Sequence, residues 1–177
     1  MPNEQSRKEG NEMKSCTIYR SLRAGVLECA AFADGKMILH TSMAKGLSAP
    51  VMIETANIRL KSDYDTEQTL IPGVTRRTVF YAGKNIRFAD IRWNRDETYT
   101  VDFDDESFDA VRLDAHSFNF SADGKDIGRI GRDTGGLSGV VTGDVRYEPS
   151  YTVEYDEKIS QQMLIMIMVF PILYFGF

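Results

Sequence analysis

MLIMIMVFPILYF, residues Met163–Phe175, is the most informative stretch of this sequence, because all of it is apolar or aromatic. Ser160 is placed to cap a helix, and Pro171 is expected to end or kink it. About eleven helical residues then remain, roughly 16 Å in length. A membrane-spanning helix needs roughly twenty residues, and an interfacial helix needs a polar face that this one lacks. The stretch therefore predicts a core helix, over about 160–175, enclosed by the rest of the chain.

Upstream of the helix, apolar and polar residues alternate, as in strands that bury one face and expose the other. The clearest examples are residues 56–61, 98–103 and 151–155. The tetrapeptide Ala-Asp-Gly-Lys occurs at 33–36 and at 122–125, and predicts tight hairpin turns in which glycine takes a positive φ. A further hairpin is expected to join 98–103 to 108–113. The pattern favours antiparallel strands wrapped around the helix.

Length and charge limit the classes of protein that fit. The chain has 177 residues and a net charge of −5, so it predicts one domain, and its charge argues against nucleic acid as a partner. Residues 1–14 are polar and aperiodic, and we expect a disordered lead-in followed by a single domain over 15–177. The lead-in lacks the apolar segment of a signal peptide. With two cysteines, Cys16 and Cys29, this predicts a reducing, cytoplasmic location.

Two segments in the last third of the chain carry a family resemblance. Phe118–Ile130 has the form of a strand, a glycine turn and a strand, and Tyr151–Asp156 precedes the apolar stretch that starts at Ile159. A β-rich chain with this ending resembles the tubby C-terminal-like superfamily, which includes tubby domains, phospholipid scramblases and plant LURP-one-related proteins. The resemblance implies a mainly β fold, a closed antiparallel barrel around a hydrophobic C-terminal helix. It also implies a non-catalytic binding or scaffolding domain.

The resemblance suggests one candidate site. Tubby domains bind phosphoinositides through basic residues on the outside of the barrel. The densest basic stretch of this chain supplies the candidates, which are Arg59, Lys61, Arg76, Arg77, Lys84 and Arg87. Weak contact with anionic membrane phospholipid, at the membrane periphery, is therefore the leading prediction. The alternatives are a solvated strand face, and a domain that binds an unknown protein partner and no lipid. The acidic calcium segment of scramblases has no counterpart in residues 144–150, so that site is not carried over.

Other motifs point more weakly to chemistry. Asp133-Thr134-Gly135 spells the aspartic-protease triplet, but a second copy is missing from the chain, so a hydrolase is the least favoured reading. The acidic hairpin at 102–109 lacks the spacing of an EF-hand loop. Asp114, His116 and Ser117 cannot form a catalytic relay along a strand, because neighbouring residues of a strand point to opposite faces. No catalytic residue, cofactor or metal ligand is predicted.

Overall fold

The described part of the chain is mainly β and forms a closed antiparallel barrel around a C-terminal helix, as predicted; the barrel has twelve strands among the described residues. The computed structural model describes residues 12–44, 50–64, 77–94, 97–132, 140–142 and 144–174. Asp133 and most of the glycine-rich loop around it lie outside the described residues, as do Arg76 and residues 1–11 of the predicted lead-in.

The described residues form thirteen strands before the helix, and all pairings between adjacent strands of the sheet are antiparallel. The strands are β1 (Met13–Arg23), β2 (Val26–Ala33), β3 (Lys36–Ala44), β4 (Val51–Glu54), β5 (Arg59–Tyr64), β6 (Arg77–Tyr81), β7 (Arg87–Asn94), β8 (Thr98–Asp102), β9 (Ser107–Asp114), β10 (Ser117–Ala122), β11 (Lys125–Arg132), β12 (Val140–Thr142) and β13 (Val145–Asp156). The helix, α1, spans Gln161–Tyr174. Pairing of β1 with β13 closes the barrel, and β12 extends β13 as a short hairpin.

The tight turns lie where the repeated tetrapeptide predicts them. Asp34 and Gly35 have φ values of 49° and 73°, and Asp123 and Gly124 have 50° and 72°. Two successive residues with positive φ give a turn whose twist matches that of the flanking strands. The predicted hairpin between residues 98–103 and 108–113 is also present, as β8 and β9.

Two boundaries differ from the predicted ones. Residues 56–58 do not continue a strand, because the Thr55 hydroxyl accepts hydrogen bonds from the backbone N–H of Asn57 at 3.3 Å and of Ile58 at 3.1 Å. Such side-chain bonds compete with sheet pairing and make a turn. In addition, β1 begins at Met13, opposite Asp156 of β13, so residues 13 and 14 belong to the barrel and not to the lead-in.

The connection from β13 into α1 is fixed by side-chain caps. The Ser160 hydroxyl accepts a hydrogen bond from the Met163 backbone N–H at 3.2 Å, which is the predicted N-cap, and it also bonds the Glu106 carboxylate. Pro171 lies inside the helix, which continues to Tyr174; the helix thus lies within the predicted range of about 160–175 but does not end at Pro171. Proline forfeits one backbone hydrogen bond, and the buried residues on both sides of it offset that loss. No helix in the described ranges reaches the length and apolarity that crossing a membrane requires.

The core is the contact between α1 and the inward faces of the strands. From Ile165 to Ile172 every helical residue is buried, as expected for a helix that strands surround on all sides. Cys16 of β1 approaches Met168, with 3.8 Å between the two sulfur atoms. The free thiols of Cys16 and Cys29 are both buried, so both cysteines act as small core residues.

Gly128 allows β11 to approach β13 closely. A Cβ atom at this position would lie 2.6 Å from the backbone carbonyl oxygen of Glu154, and backbone cannot move aside cheaply. We expect Gly128→Ala to lower the free energy of unfolding by about 1–3 kcal/mol. Gly131→Ala on the same strand is the matched control, because its Cβ would meet nothing within 4 Å. Urea denaturation of both variants checks this, and equal midpoints would contradict it.

Candidate functional site

A row of outward-facing side chains crosses three neighbouring strands. Met52 of β4 lies opposite Lys61 of β5, and Lys61 lies opposite Tyr81 of β6. Directly opposed residues of antiparallel strands share one face of the sheet. This register places one lysine between an exposed methionine and a half-buried tyrosine on the outside of the barrel.

An open groove of about 600 Å³ runs along this row. Three of the six predicted basic residues line it: Arg59, Lys61 and Lys84. Its other lining residues are Pro50, Met52, Leu60, Ser62, Asp63, Tyr81, Gly83 and Asn85. We call this feature the cationic groove. The structure thus brings together, on one surface, lysines that are far apart in sequence.

The turn between β6 and β7, residues 82–86, positions Lys84 at the groove. The Ala82 backbone N–H donates to the Ile86 carbonyl at 2.8 Å and closes the turn. Gly83 has a φ of 138°, which side-chain-bearing residues rarely adopt, and Asn85 has a φ of 63°. Glycine and asparagine tolerate these conformations best. The local sequence therefore specifies the turn that carries Lys84 to the rim.

The basic residues in the cationic groove differ in whether a carboxylate pairs with them. Arg59 lies 3.5 Å from Glu54, but this pair is largely exposed and contributes little. Asp63 adds one carboxylate to the lining. The ammonium groups of Lys61 and Lys84 form no ion pair with any residue in the described part of the chain. Among the described residues that line the groove, Lys61 and Lys84 are therefore the cations without a carboxylate partner.

Two other predicted basic residues lie outside the groove lining. Asp90 is 2% exposed, and Arg77 donates to it from Nε at 2.9 and 2.8 Å. Arg87 Nη1 lies 3.4 Å from the same carboxylate. The basic stretch contains no acid between residues 76 and 87, but Asp90 follows three residues later. Arg77 and Arg87 thus stabilise a buried carboxylate.

The remaining polar candidates have structural partners. Asp102 pairs with Arg92, and Asp109 accepts from the Thr100 hydroxyl at 2.8 Å. The Asp114 carboxylate accepts from the His116 backbone N–H at 2.7 Å, and this bond lowers the pKa of Asp114. These contacts hold turns and strands together, as expected for hairpins with acidic tips.

The two cysteines are not activated thiols, and His40 lies beside a carboxylate. Burial raises the pKa of the Cys16 and Cys29 thiols to about 12, so both stay protonated. His40 lies 3.8 Å from Glu28, which also accepts a hydrogen bond from the Tyr147 hydroxyl at 3.5 Å. Across the ranges that the structure describes, His, Cys, Asp and Glu side chains form no group of three that could hold a metal ion.

The sequence did not reveal the apolar part of the groove. Met52 and Tyr81 join Lys61 only through the register of β4, β5 and β6, and no local pattern encodes that register. The position of Lys84 could have been predicted from Gly83 and Asn85, because a Gly-Lys-Asn turn between two strands predicts an exposed lysine at a hairpin tip.

The fold and the groove define a class: a closed β-barrel with an internal helix and a cationic groove on its outer face. Comparison of the chain with family models, with curated proteins and with solved structures gives no match. The barrel architecture implied by the tubby-like resemblance is present. Membership of that superfamily stays a prediction.

Proposed function

We propose that this barrel is a non-catalytic binding domain that attaches weakly to anionic phospholipid surfaces through the cationic groove. The observation that carries the proposal is the placement of Lys61 and Lys84 in one open groove, without carboxylate partners among the described residues. The resemblance to tubby-like domains supports the same function.

The chemistry of the groove suits a phosphate group at a surface. Lysine is a compact point charge that binds phosphate without a fixed geometry, and each lysine near an anionic membrane contributes about 1 kcal/mol of attraction. Met52 and Tyr81 give the same groove an apolar side. Asp63 and the chain's net charge of −5 oppose binding, which keeps the attachment weak and sensitive to salt.

Among the described residues that line the groove, the one serine is Ser62. Ser62 is buried, and its hydroxyl accepts a hydrogen bond of 2.7 Å from the Val51 backbone N–H. That bond ties β4 to β5 and gives the Ser62 hydroxyl a structural role. The buried, free thiols of Cys16 and Cys29 suit a reducing compartment, so we place the domain in the cytoplasm, at the membrane periphery.

Vesicle pelleting tests the proposal. The wild-type chain is expected to pellet with phosphatidylcholine vesicles that contain phosphatidylserine or phosphoinositide, at low salt, and to be released at high salt. The double variant Lys61→Glu/Lys84→Glu is expected to bind at least tenfold more weakly, because it reverses two charges that face the lipid. Lys125→Glu is the matched control, since this exposed lysine begins β11 on the opposite side of the barrel from β5.

Two results would contradict the proposal. One is the absence of lipid-dependent pelleting at low salt, which would favour the alternative of a protein-binding domain. The other is equal loss of binding in Lys125→Glu and in the groove variant, because net charge alone would then account for the attachment.

A further inference from the structure

We propose that the turn at residues 82–86 inserts its exposed Ile86 side chain into the bilayer, next to the headgroups held by the cationic groove. This inference rests on the proposed function and adds the orientation of the barrel on the membrane. The occupant of this surface is thus a bilayer of anionic phospholipid.

Ile86 is the apolar tip of the groove's own turn. This residue is 61% exposed, which is costly for isoleucine in water. The side chain lies against Gly83, because a Cβ at Gly83 would be 3.8 Å from Ile86 Cδ1. The hydrogen bond from Ala82 to Ile86 fixes the shape of the turn. Ile86 is therefore an exposed apolar residue on a closed turn.

Charge surrounds this apolar tip on both sides. Lys84 lines the groove on one side, and Arg87 begins β7 on the other, where its side chain pairs with Asp90 but stays 43% exposed. Long basic side chains can lay their methylene stems along lipid while their charges stay at headgroup level. Met52, also exposed, extends the apolar surface along the groove. An apolar side chain framed by cations is complementary to an anionic bilayer surface.

The neighbouring turn sets the tilt of the barrel. The β8–β9 turn lies at the same end of the barrel and carries Asp104, Asp105 and Glu106. An anionic surface repels these carboxylates, so the barrel cannot dock with that end flat on the membrane. It docks on the side formed by β4, β5 and β6, with the 82–86 turn entering the lipid and the acidic turn raised.

Site-specific fluorescence tests the insertion. The native thiols are buried and protonated, so an introduced cysteine can be labelled selectively with a polarity-sensitive dye. Labelled Ile86→Cys is expected to shift to the blue on vesicles of phosphatidylcholine and phosphatidylserine, and to be quenched by lipids brominated on the acyl chain. Labelled Leu113→Cys is the control, because Leu113 is equally exposed, at 63%, near the other end of the barrel.

Pelleting supplies a second readout. Ile86→Ser is expected to weaken vesicle binding about fivefold, with an unchanged urea midpoint, whereas Leu113→Ser keeps wild-type binding. If the Lys61→Glu/Lys84→Glu variant loses binding but Ile86→Ser does not, and the dye at position 86 shows neither shift nor quenching, the insertion is wrong and the groove proposal stands. Failure of the wild-type chain to bind at all overturns both.

Discussion

Replacing Phe170 with alanine is expected to lower the free energy of unfolding by about 3–5 kcal/mol, the cost of truncating a fully buried aromatic side chain. Phe170 is 0% exposed. Its ring centroid lies 5.1 Å from that of Phe118, 5.2 Å from Phe120 and 5.8 Å from Tyr99. Phe170 therefore joins α1 to β8 and β10, and its loss leaves a cavity that rigid strands cannot collapse to fill.

Urea unfolding followed by circular dichroism measures this effect. Leu113→Ala is the control, because this leucine is exposed and its truncation should change stability by less than about 0.5 kcal/mol. A loss below about 1 kcal/mol for Phe170→Ala would mean that the barrel does not depend on its internal helix. That outcome would contradict the enclosed-helix architecture.

Replacing Arg77 with leucine is expected to cost about 3 kcal/mol, because it leaves the buried Asp90 carboxylate short of its main partner. Arg87 remains 3.4 Å away and limits the loss. Replacing the other partner, Asp90→Leu, is expected to lower the free energy of unfolding by only about 1–2 kcal/mol. Arg77 has a 23% exposed side chain and can turn its charge toward water.

A double-mutant cycle separates charge burial from simple loss of contacts. The variant Arg77→Leu/Asp90→Leu is expected to be more stable than Arg77→Leu alone, since the second change removes the uncompensated carboxylate. Urea midpoints of the three variants give the coupling energy. Additive losses would show that Asp90 is not held in place by Arg77.

Local patterns predicted the parts of the fold that depend on short segments. The Ala-Asp-Gly-Lys turns, the β8–β9 hairpin and the Ser160 cap are each set by a few adjacent residues, and all are present. The strand predicted over residues 56–61 was wrong at its start, because the Thr55 hydroxyl closes a turn there in spite of the alternation of Ala56 and Ile58. Of the two effects predicted for Pro171, ending the helix is wrong, because the helix continues to Tyr174 inside the barrel.

The candidate site was predictable only in part. The density of basic residues along the chain predicted a site that includes Arg59, Lys61 and Lys84, and these three residues line one groove. The same criterion included Arg77 and Arg87, although both form ion pairs with Asp90. A count of charges along the chain cannot separate a lysine facing solvent from an arginine facing a buried carboxylate. That difference depends on which strands lie side by side.

The sequence by itself determined that a wholly apolar C-terminal helix must be enclosed and that short antiparallel strands enclose it, because composition and period are properties of neighbouring residues. Only the tertiary structure decided which basic residues remain available to a ligand. Pairing of β4, β5 and β6 sets Lys61 between Met52 and Tyr81, and the β6–β7 hairpin sets Arg77 against Asp90. Whether a charge is paired or free depends on its neighbours across the sheet, which barrel closure fixes.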